Sequence, residues 1–178
     1  MCVIIIKTKE AKMPSKKDLK LAFQRNPDGC GFASESMNYH CLKFEDFWQH
    51  IKLVPKNEAC IIHFRWATHG SVKVSNCHPF YDQDTNTWFA HNGILAFNPK
   101  GDITDSEYAF RRILAPALKN HDIYSREFEA KVKRIIGGSR FAFLQDGNLR
   151  AFGQYYEYKG CYYSNLRHLQ APWWCKPA

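Results

Sequence analysis

The sequence predicts one α/β or α+β domain, and three observations support this fold class. Segments with the period of a strand and segments with the period of a helix follow one another in the order strand, helix, mixed strands, helices, strands. The chain has 178 residues, 45% of them hydrophobic, which is enough for a domain with a substantial core. Since no internal repeat, low-complexity segment or linker interrupts it, we expect residues 1–178 to form a single domain.

The first half of the chain begins with a predicted buried strand. Residues 2–8 are rich in Ile and Val and alternate little with polar residues, as in a strand covered on both faces. A helix is predicted within 14–26, where Ser15 precedes an acidic residue by three positions in a variant of the capping box. The turn dipeptides Asn-Pro and Asp-Gly in 26–33 lead into a second strand. The remaining predictions are a helix over 44–53 and strands over 58–66 and 86–95.

The second half returns to helical periodicity and then to strands. Thr104 and Glu107 form a capping box at the start of a helix predicted over 104–120, although Pro116 threatens its continuity. A further helix is predicted over 125–136, ended by two glycines. The rest is predicted as strand and hairpin, with an Asp-Gly-Asn turn at 146–148.

Composition excludes several classes of protein. No apolar run approaches the roughly 20 residues of a membrane span, and the five apolar residues after Met1 are too few for a signal-peptide core. Seven cysteines without a CxxC pair indicate free thiols, so we expect a cytoplasmic protein. A zinc site is disfavoured because the spacing does not match paired-ligand patterns, and no metal or cofactor is predicted. The set considered was Cys60, His63, Cys77 and His78.

The charge of the chain is basic, at +8. Seven basic residues against two acidic ones lie between Lys7 and Arg25, which is compatible with a surface for nucleic acid. A solvated helix face explains the same residues more simply, and charge alone names no function.

Polar side chains are concentrated in "HFRWATHG" (63–70) and "AHNG" (90–93), beside predicted strands. Arg65 has the planar fork that binds a carboxylate through two hydrogen bonds. The amide of Asn92 and the N–H of Gly93 could donate to an oxyanion, as in acyl transfer. Asp105, near a helix start, could accept from an ammonium group. This set suits an amino acid with a reactive side-chain carbonyl.

Cys2 is the candidate nucleophile. If Met1 is removed, the thiol and a free α-amine belong to the same residue. An α-amine has a reference pKa of about 7.7–8.0, which suits a base near neutral pH. Pairing of a nucleophile with an N-terminal amine is a known form of activation.

With these residues, the chain resembles a class II glutamine amidotransferase domain, of the N-terminal nucleophile hydrolase superfamily. The shared elements occur in the family's order over residues 1 to about 120, and "GGSRFAF" (137–143) matches more loosely. They are "MC" (1–2), "NPDGCGFA" (26–33), "HFRWATHG" (63–70), "NCHPF" (76–80), "AHNGIL" (90–95) and "TDSE" (104–107).

The resemblance implies a fold, a reaction and residue roles. The fold is a four-layer αββα sandwich of the α+β class. Cys2 would attack the glutamine carboxamide, with Asn92 and Gly93 as oxyanion hole. The glutamine α-carboxylate would bind Arg65, helped by Thr68 and His69, and the α-ammonium would bind Asp105. Ammonia would pass to a separate acceptor enzyme, since no acceptor domain is recognised in the sequence.

Two alternatives remain open at this stage. One is an amidase that acts on a γ-glutamyl amide other than glutamine, because Arg65 and Asp105 would serve any γ-glutamyl group. The other is a non-catalytic module that binds nucleic acid or protein through the basic N-terminal helix. The presence of Cys2, Arg65, Asn92 and Asp105 together counts against a pure binding module.

Overall fold

The computed structural model describes residues 2–68 and 70–169 of the chain. Within them lie ten strands, five α-helices and one π-helical turn. The strands are β1 Val3–Lys7, β2 Cys30–Ser34, β3 Asn38–Cys41, β4 Cys60–Phe64, β5 Phe80–Asp82, β6 Thr87–Asn92, β7 Arg140–Gln145, β8 Asn148–Phe152, β9 Tyr156–Tyr158 and β10 Cys161–Tyr163. The helices are α1 Lys16–Arg25, α2 Phe44–Ile51, α3 Asp105–Ala109, α4 Ala115–Leu118 and α5 Arg126–Ile135.

The strands form two antiparallel sheets. The first has the order β3-β2-β4-β1-β10-β9, and the second has the order β5-β6-β7-β8. β1 pairs with β4 over its whole length, with Val3 opposite Phe64 and Lys7 opposite Cys60. This register places Cys2 beside the end of β4, where the polar phrase 63–70 begins.

Three apolar layers hold the fold together. They lie at the three interfaces within a four-layer αββα sandwich of helices and sheets. The first packs α1 and α2 on the six-stranded sheet, and the second packs α3, α4 and α5 on the four-stranded sheet. The third lies between the sheets and includes Ile4, Ile61 and Ala142. β1 contributes Val3 and Ile5 to the first layer but Ile4 and Ile6 to the third, because successive strand residues face opposite sides. The predicted strand covered on both faces is therefore confirmed.

Local capping follows the sequence closely. The Ser15 side chain accepts a hydrogen bond from the Asp18 N–H (3.1 Å), and the Thr104 side chain accepts one from the Glu107 N–H (3.1 Å). These bonds satisfy amide groups that a helix start leaves without partners. Both predicted helix starts are confirmed.

Pro116 has the predicted effect on the helix over 104–120. The chain passes from α3 into the π-helical turn Phe110–Leu114, and α4 then begins with Pro116 in its first turn. A proline has no N–H to donate, which is harmless in a first turn, so the wide turn lets the chain continue in the same direction.

Two strand predictions ran too long, and two strands, β3 and β5, were missed. The strands predicted over 58–66 and 86–95 end at Phe64 and Asn92, where the polar phrases leave the sheets. β3 and β5 have only four and three residues, which is too short for a periodic pattern to stand out. Among the described residues no helix has the length and apolar character of a membrane span. The predictions that concern His69, Cys175 and removal of Met1 lie outside the described residues.

Candidate active site

A cavity of about 390 Å³ lies where the start of β1 meets the ends of β4 and β6 and the start of β7. Its wall brings together residues from four separate parts of the chain. They are Cys2, Trp66, Thr68, Asn92, Gly93, Ile94, Gly138, Ser139 and Arg140. A larger cavity of about 640 Å³ lies between α2 and the segment that follows β1, and none of the predicted site residues lines it. The smaller cavity is the candidate active site because it contains the predicted nucleophile.

Cys2 is held against the backbone of Trp66. The Trp66 N–H donates to Cys2 Sγ at 3.3 Å, and the thiol lies 3.4 Å from the Trp66 carbonyl oxygen. Burial raises the pKa of the Cys2 thiol, and the hydrogen bond from the Trp66 backbone and the charge of Arg65 offset part of that effect. The thiol is consequently protonated near neutral pH, and a nucleophilic role requires a base.

Asn92 and Gly93 end β6 directly at the cavity. Asn92 is 1% exposed, and its Nδ2 lies 2.8 Å from Ser164 Oγ. Gly93 has φ of 148°, a conformation that favours glycine, and a Cβ at this position would collide with Ser139. Both backbone geometry and space therefore require glycine next to Asn92. The structure brings Cys2, Asn92 and Gly93 into the wall of one cavity.

Arg65 lies beneath the loop that follows β4 and does not line the cavity. Its guanidinium donates to the carbonyl oxygens of Ser71 (2.9 Å) and Gly70 (3.4 Å), and the residue is 3% exposed. Arg65 therefore supports the backbone at Gly70 and Ser71 in this structure.

Asp105 also lies behind the wall rather than in it. One carboxylate oxygen accepts from the Leu95 N–H (2.8 Å), and the other accepts from the Ser106 N–H (2.8 Å). Asp105 thus fixes the segment just after Gly93, while a carboxylate retains lone pairs for a further donor. Thr68 does line the cavity, at its exposed side.

Three buried histidines occupy the space behind the cavity. The His63 and His78 rings are 4.4 Å apart, and the His78 and His91 rings are 6.5 Å apart. Burial lowers the pKa of His63 to about 3 and that of His91 to about 4, and it holds the pKa of His78 well below its usual range. The three imidazoles are therefore neutral at physiological pH, and we call them the histidine cluster.

The sequence did not single out five residues that the structure places at or beside the site. Gly138, Ser139 and Arg140 line the cavity, and Arg140 is the charged residue among its wall residues. The phrase "GGSRFAF" was a weak signal for them. Ser164 contacts Asn92, and the Asn165 side chain donates to the Cys2 carbonyl oxygen at 2.8 Å. These last two lie more than 160 positions from Cys2, and no motif pointed to them.

Two lysines of the basic N-terminal segment have partners within the fold. Lys7 is 1% exposed, and its Nζ donates to the carbonyl oxygens of Thr8, Lys56 and Glu58. Lys16 is paired with Glu45 at 3.3 Å. Within residues 2–68 and 70–169, no group of three or more His, Cys, Asp or Glu side chains has an arrangement that could hold a metal ion.

Comparison with known sequences gives a consistent result. A family profile described as "Glutamine amidotransferases class-II" matches residues 49–151. Glutamine–fructose-6-phosphate aminotransferase of Methanococcus maripaludis is 34% identical over 106 residues, which are 54% of this chain and 17% of that protein. The enzyme of the same name from Chlamydia trachomatis serovar D is 46% identical over 39 residues, 22% of this chain and 6% of that protein. The chain thus spans less than a fifth of the length of these relatives.

Comparison with solved structures supports the fold. The glutamine phosphoribosylpyrophosphate amidotransferase from B. subtilis, in complex with ADP and GMP, matches with a TM-score of 0.61 and 16% identity. A structure titled as the allosteric regulatory enzyme of purine biosynthesis matches with a TM-score of 0.62 and 17% identity. Each match covers 92% of this chain and 41% of the other. Nothing in these comparisons supports the nucleic-acid alternative.

Proposed function

Because this chain belongs to the class II glutamine amidotransferases, we propose that it hydrolyses free L-glutamine to glutamate and ammonia in the cavity around Cys2. The observation that carries this proposal is the shared wall of Cys2, Asn92 and Gly93, which places a thiol beside two potential oxyanion donors. Acyl transfer needs these two components next to each other.

The first chemical step forms a thioester. Cys2 Sγ attacks the side-chain carbonyl carbon of glutamine, and the thiol proton passes to the α-amine of Cys2 once Met1 has been removed. The negative charge that develops on the carbonyl oxygen is held by the Asn92 side-chain amide and the Gly93 N–H. The tetrahedral intermediate then collapses, the α-ammonium returns its proton to the leaving nitrogen, and ammonia departs.

The second step regenerates the enzyme. Water attacks the γ-glutamyl thioester while the α-amine accepts a water proton, and the same donors hold the second oxyanion. Glutamate leaves as the thiol recovers its proton. The raised pKa of the Cys2 thiol supports the need for this base. In the described part of the chain, the hydrogen bonds of Cys2 Sγ go to the Trp66 backbone, and no histidine nitrogen takes part in them.

Recognition of the amino-acid end of glutamine is assigned to the loop after β4 and to the start of α3. Arg65 would bind the α-carboxylate, with Thr68 and His69 assisting, and Asp105 would bind the α-ammonium. Thr68 already lines the cavity, and Asp105 is one hydrogen bond away from the segment that follows Gly93. Arg140 adds a positive charge to the wall, which favours a substrate that carries a carboxylate.

We further propose that residues 1–178 form one glutaminase domain and that ammonia passes to a separate acceptor enzyme in the cytoplasm. β1 contributes to the first and third apolar layers, and β7 contributes to the second and third, so the three layers are joined, which supports a single domain. The six cysteines within residues 2–68 and 70–169 are free thiols, and Cys30 and Cys41 remain unbonded although their sulfur atoms are 3.6 Å apart. Such a pair supports a reducing compartment.

Glutamine hydrolysis by the purified chain is the direct test. We expect glutamate and ammonia in equal amounts from preparations whose intact mass shows loss of one methionine. A matched preparation with an uncleavable N-terminal tag should fold and remain inactive, because its Cys2 nitrogen is an amide without a basic lone pair. Full activity in the tagged protein would contradict the role of the amine. A panel of other γ-glutamyl amides separates glutamine from the alternative substrates, and faster hydrolysis of any of them would overturn the substrate assignment.

A further inference from the structure

Ser164, the residue after β10, connects the strand that follows Cys2 to the strand that carries Asn92. Its N–H donates to the Ile4 carbonyl oxygen at 2.9 Å, and its Oγ accepts from the Ile4 N–H at 2.8 Å. The same Oγ lies 2.8 Å from the Asn92 amide nitrogen. Ser164 is 1% exposed. One buried hydroxyl therefore contacts both β1 and the predicted oxyanion donor.

The hydrogen bonds of Asn92 are incomplete in this arrangement. Its Oδ1 is buried and has no hydrogen-bond partner within the described residues. With Nδ2 facing Ser164, the hydroxyl oxygen accepts hydrogen bonds from both the Ile4 N–H and the Asn92 amide. The hydrogen of the Ser164 hydroxyl then takes part in neither bond. A buried polar atom without a hydrogen-bond partner destabilises the folded state.

The two ends of a carboxamide have nearly the same shape, so a rotation by 180° is possible at this site. The rotation lets the Ser164 hydroxyl both donate and accept, and within the described residues it leaves the Asn92 NH2 group available for a ligand oxygen. The Ser164 O–H then donates to Asn92 Oδ1, and Ser164 Oγ still accepts from the Ile4 N–H. The Asn92 NH2 group takes the place of the unpartnered oxygen, at the end of the side chain opposite Ser164. Asn92 shares the cavity wall with Cys2 and Gly93, so this orientation provides the donor that an oxyanion requires there.

We propose that Ser164 is a positioning residue that turns the amide NH2 of Asn92 toward the reacting carbonyl oxygen. The inference rests on the proposed glutaminase function and adds to it a residue that no sequence motif indicated. The neighbouring Asn165 supports the same geometry, since its side chain donates to the Cys2 carbonyl oxygen at 2.8 Å. The Ser164-Asn165 pair thus fixes the nucleophile residue and the oxyanion donor relative to each other.

A double-mutant cycle tests whether Ser164 acts through Asn92. Ser164→Ala should lower kcat by at least about ten-fold, within the roughly 10²–10³-fold loss expected for removal of an oxyanion donor, with little change in KM. Asn92→Ala should lower kcat further, and the double variant should equal Asn92→Ala alone. Independent losses that multiply in the double variant would show that Ser164 is merely structural, and would overturn the proposal.

Two controls keep stability and catalysis apart. Ser34 is 2% exposed and is also hydrogen-bonded through its hydroxyl, to Glu58 and the Met37 N–H, but it lies outside the cavity wall. Ser34→Ala should lower the unfolding free energy without lowering kcat. If Ser164→Ala does not fold, Ser164→Thr and Ser164→Val provide a pair of nearly equal shape. The Thr variant should turn over at least about five times faster, by the same donor effect, and equal rates would overturn the proposal.

Failure of the inference can be told apart from failure of the proposed function. If the wild-type protein, with Met1 removed, does not hydrolyse glutamine, the glutaminase proposal is rejected, and the role of Ser164 is rejected with it. An active wild type with an equally active Ser164→Ala variant would reject the role of Ser164 alone. An active wild type with non-additive losses at Ser164 and Asn92 would support both.

Discussion

Acidification should destabilise the protein through the histidine cluster of His63, His78 and His91. Four of the six ring nitrogens in this cluster are buried without a hydrogen-bond partner among the described residues. Burial is the main cause of the lowered pKa values of the three histidines. Arg65 and His40 lower the pKa values of His63 and His78 further, whereas the negative charge of Asp105 raises that of His91. A proton can enter the cluster only at a large cost in free energy.

The size of the effect follows from the difference between the two states. In the unfolded chain each histidine has a pKa near 6.5, whereas in the folded chain His63 and His91 have values of about 3 and about 4. Below pH 6.5 the unfolded state binds more protons, so stability is fully present above that pH and is lost as the pH falls toward the folded values. Near pH 5 each histidine lowers the free energy of unfolding by about 1.4 kcal/mol for each pH unit of acidification, and the cluster lowers it by about 4 kcal/mol per pH unit. The cluster therefore costs the folded state about 6 kcal/mol by pH 5 and about 10 kcal/mol by pH 4. A domain whose stability lies between these two values, within the usual range of about 5–15 kcal/mol, should unfold between about pH 4 and pH 5.

Urea unfolding, followed by circular dichroism from pH 7.5 to pH 5, measures this slope. His78→Leu removes one member of the cluster at similar volume, and its slope should be lower than that of the wild type by about 1.4 kcal/mol per pH unit. Comparison with the wild type cancels other titrating groups, including buried His168, whose pKa is also lowered to about 4. Phe80→Leu is the matched control, because the Phe80 ring lies 4.4 Å from His78 and does not titrate. An unchanged slope in His78→Leu would refute the reasoning.

Three further predictions concern the reaction itself. Cys2→Ala should abolish glutamine hydrolysis while leaving the unfolding midpoint nearly unchanged, and wild-type rates in this variant would exclude Cys2 as nucleophile. Gly93→Ala should lower kcat strongly, because the new Cβ would overlap Ser139 Oγ and lie 2.9 Å from Ser139 Cα at a φ of 148°. Steady-state rates beside a stability measurement check this, and normal turnover would show that the site does not require glycine at position 93. Arg65→Lys and Asp105→Asn should raise KM by at least about thirty-fold, the equivalent of about 2 kcal/mol of lost charged contact, and a loss confined to kcat would contradict their assignment to substrate binding.

Local features of the fold were predictable because short stretches of chain determine them. Ser15 and Thr104 cap their helices through bonds to residues three positions away, and Pro116 disturbs the helix in which it lies. The strand 2–8 was recognisable because both faces of β1 are buried, which requires apolar residues at consecutive positions. β3 was missed because a short strand at the edge of a sheet, with exposed polar side chains, carries no such pattern.

The sequence by itself determined which groups are available at the site, and the tertiary structure decided how they are used. Cys2, Asn92 and Gly93 were predictable because their chemistry is specific, and the fold brings all three into one wall. The present contacts of Arg65 and the position of Ser164 were not predictable, because they depend on where distant segments lie after the two sheets pack together. Ser164 and Asn92 are 72 positions apart and meet because β10 pairs with β1 while β6 belongs to the facing sheet. A contact of this kind is fixed by the burial of Ile4, Ile61 and Ala142 between the sheets, and no local pattern in the chain records it.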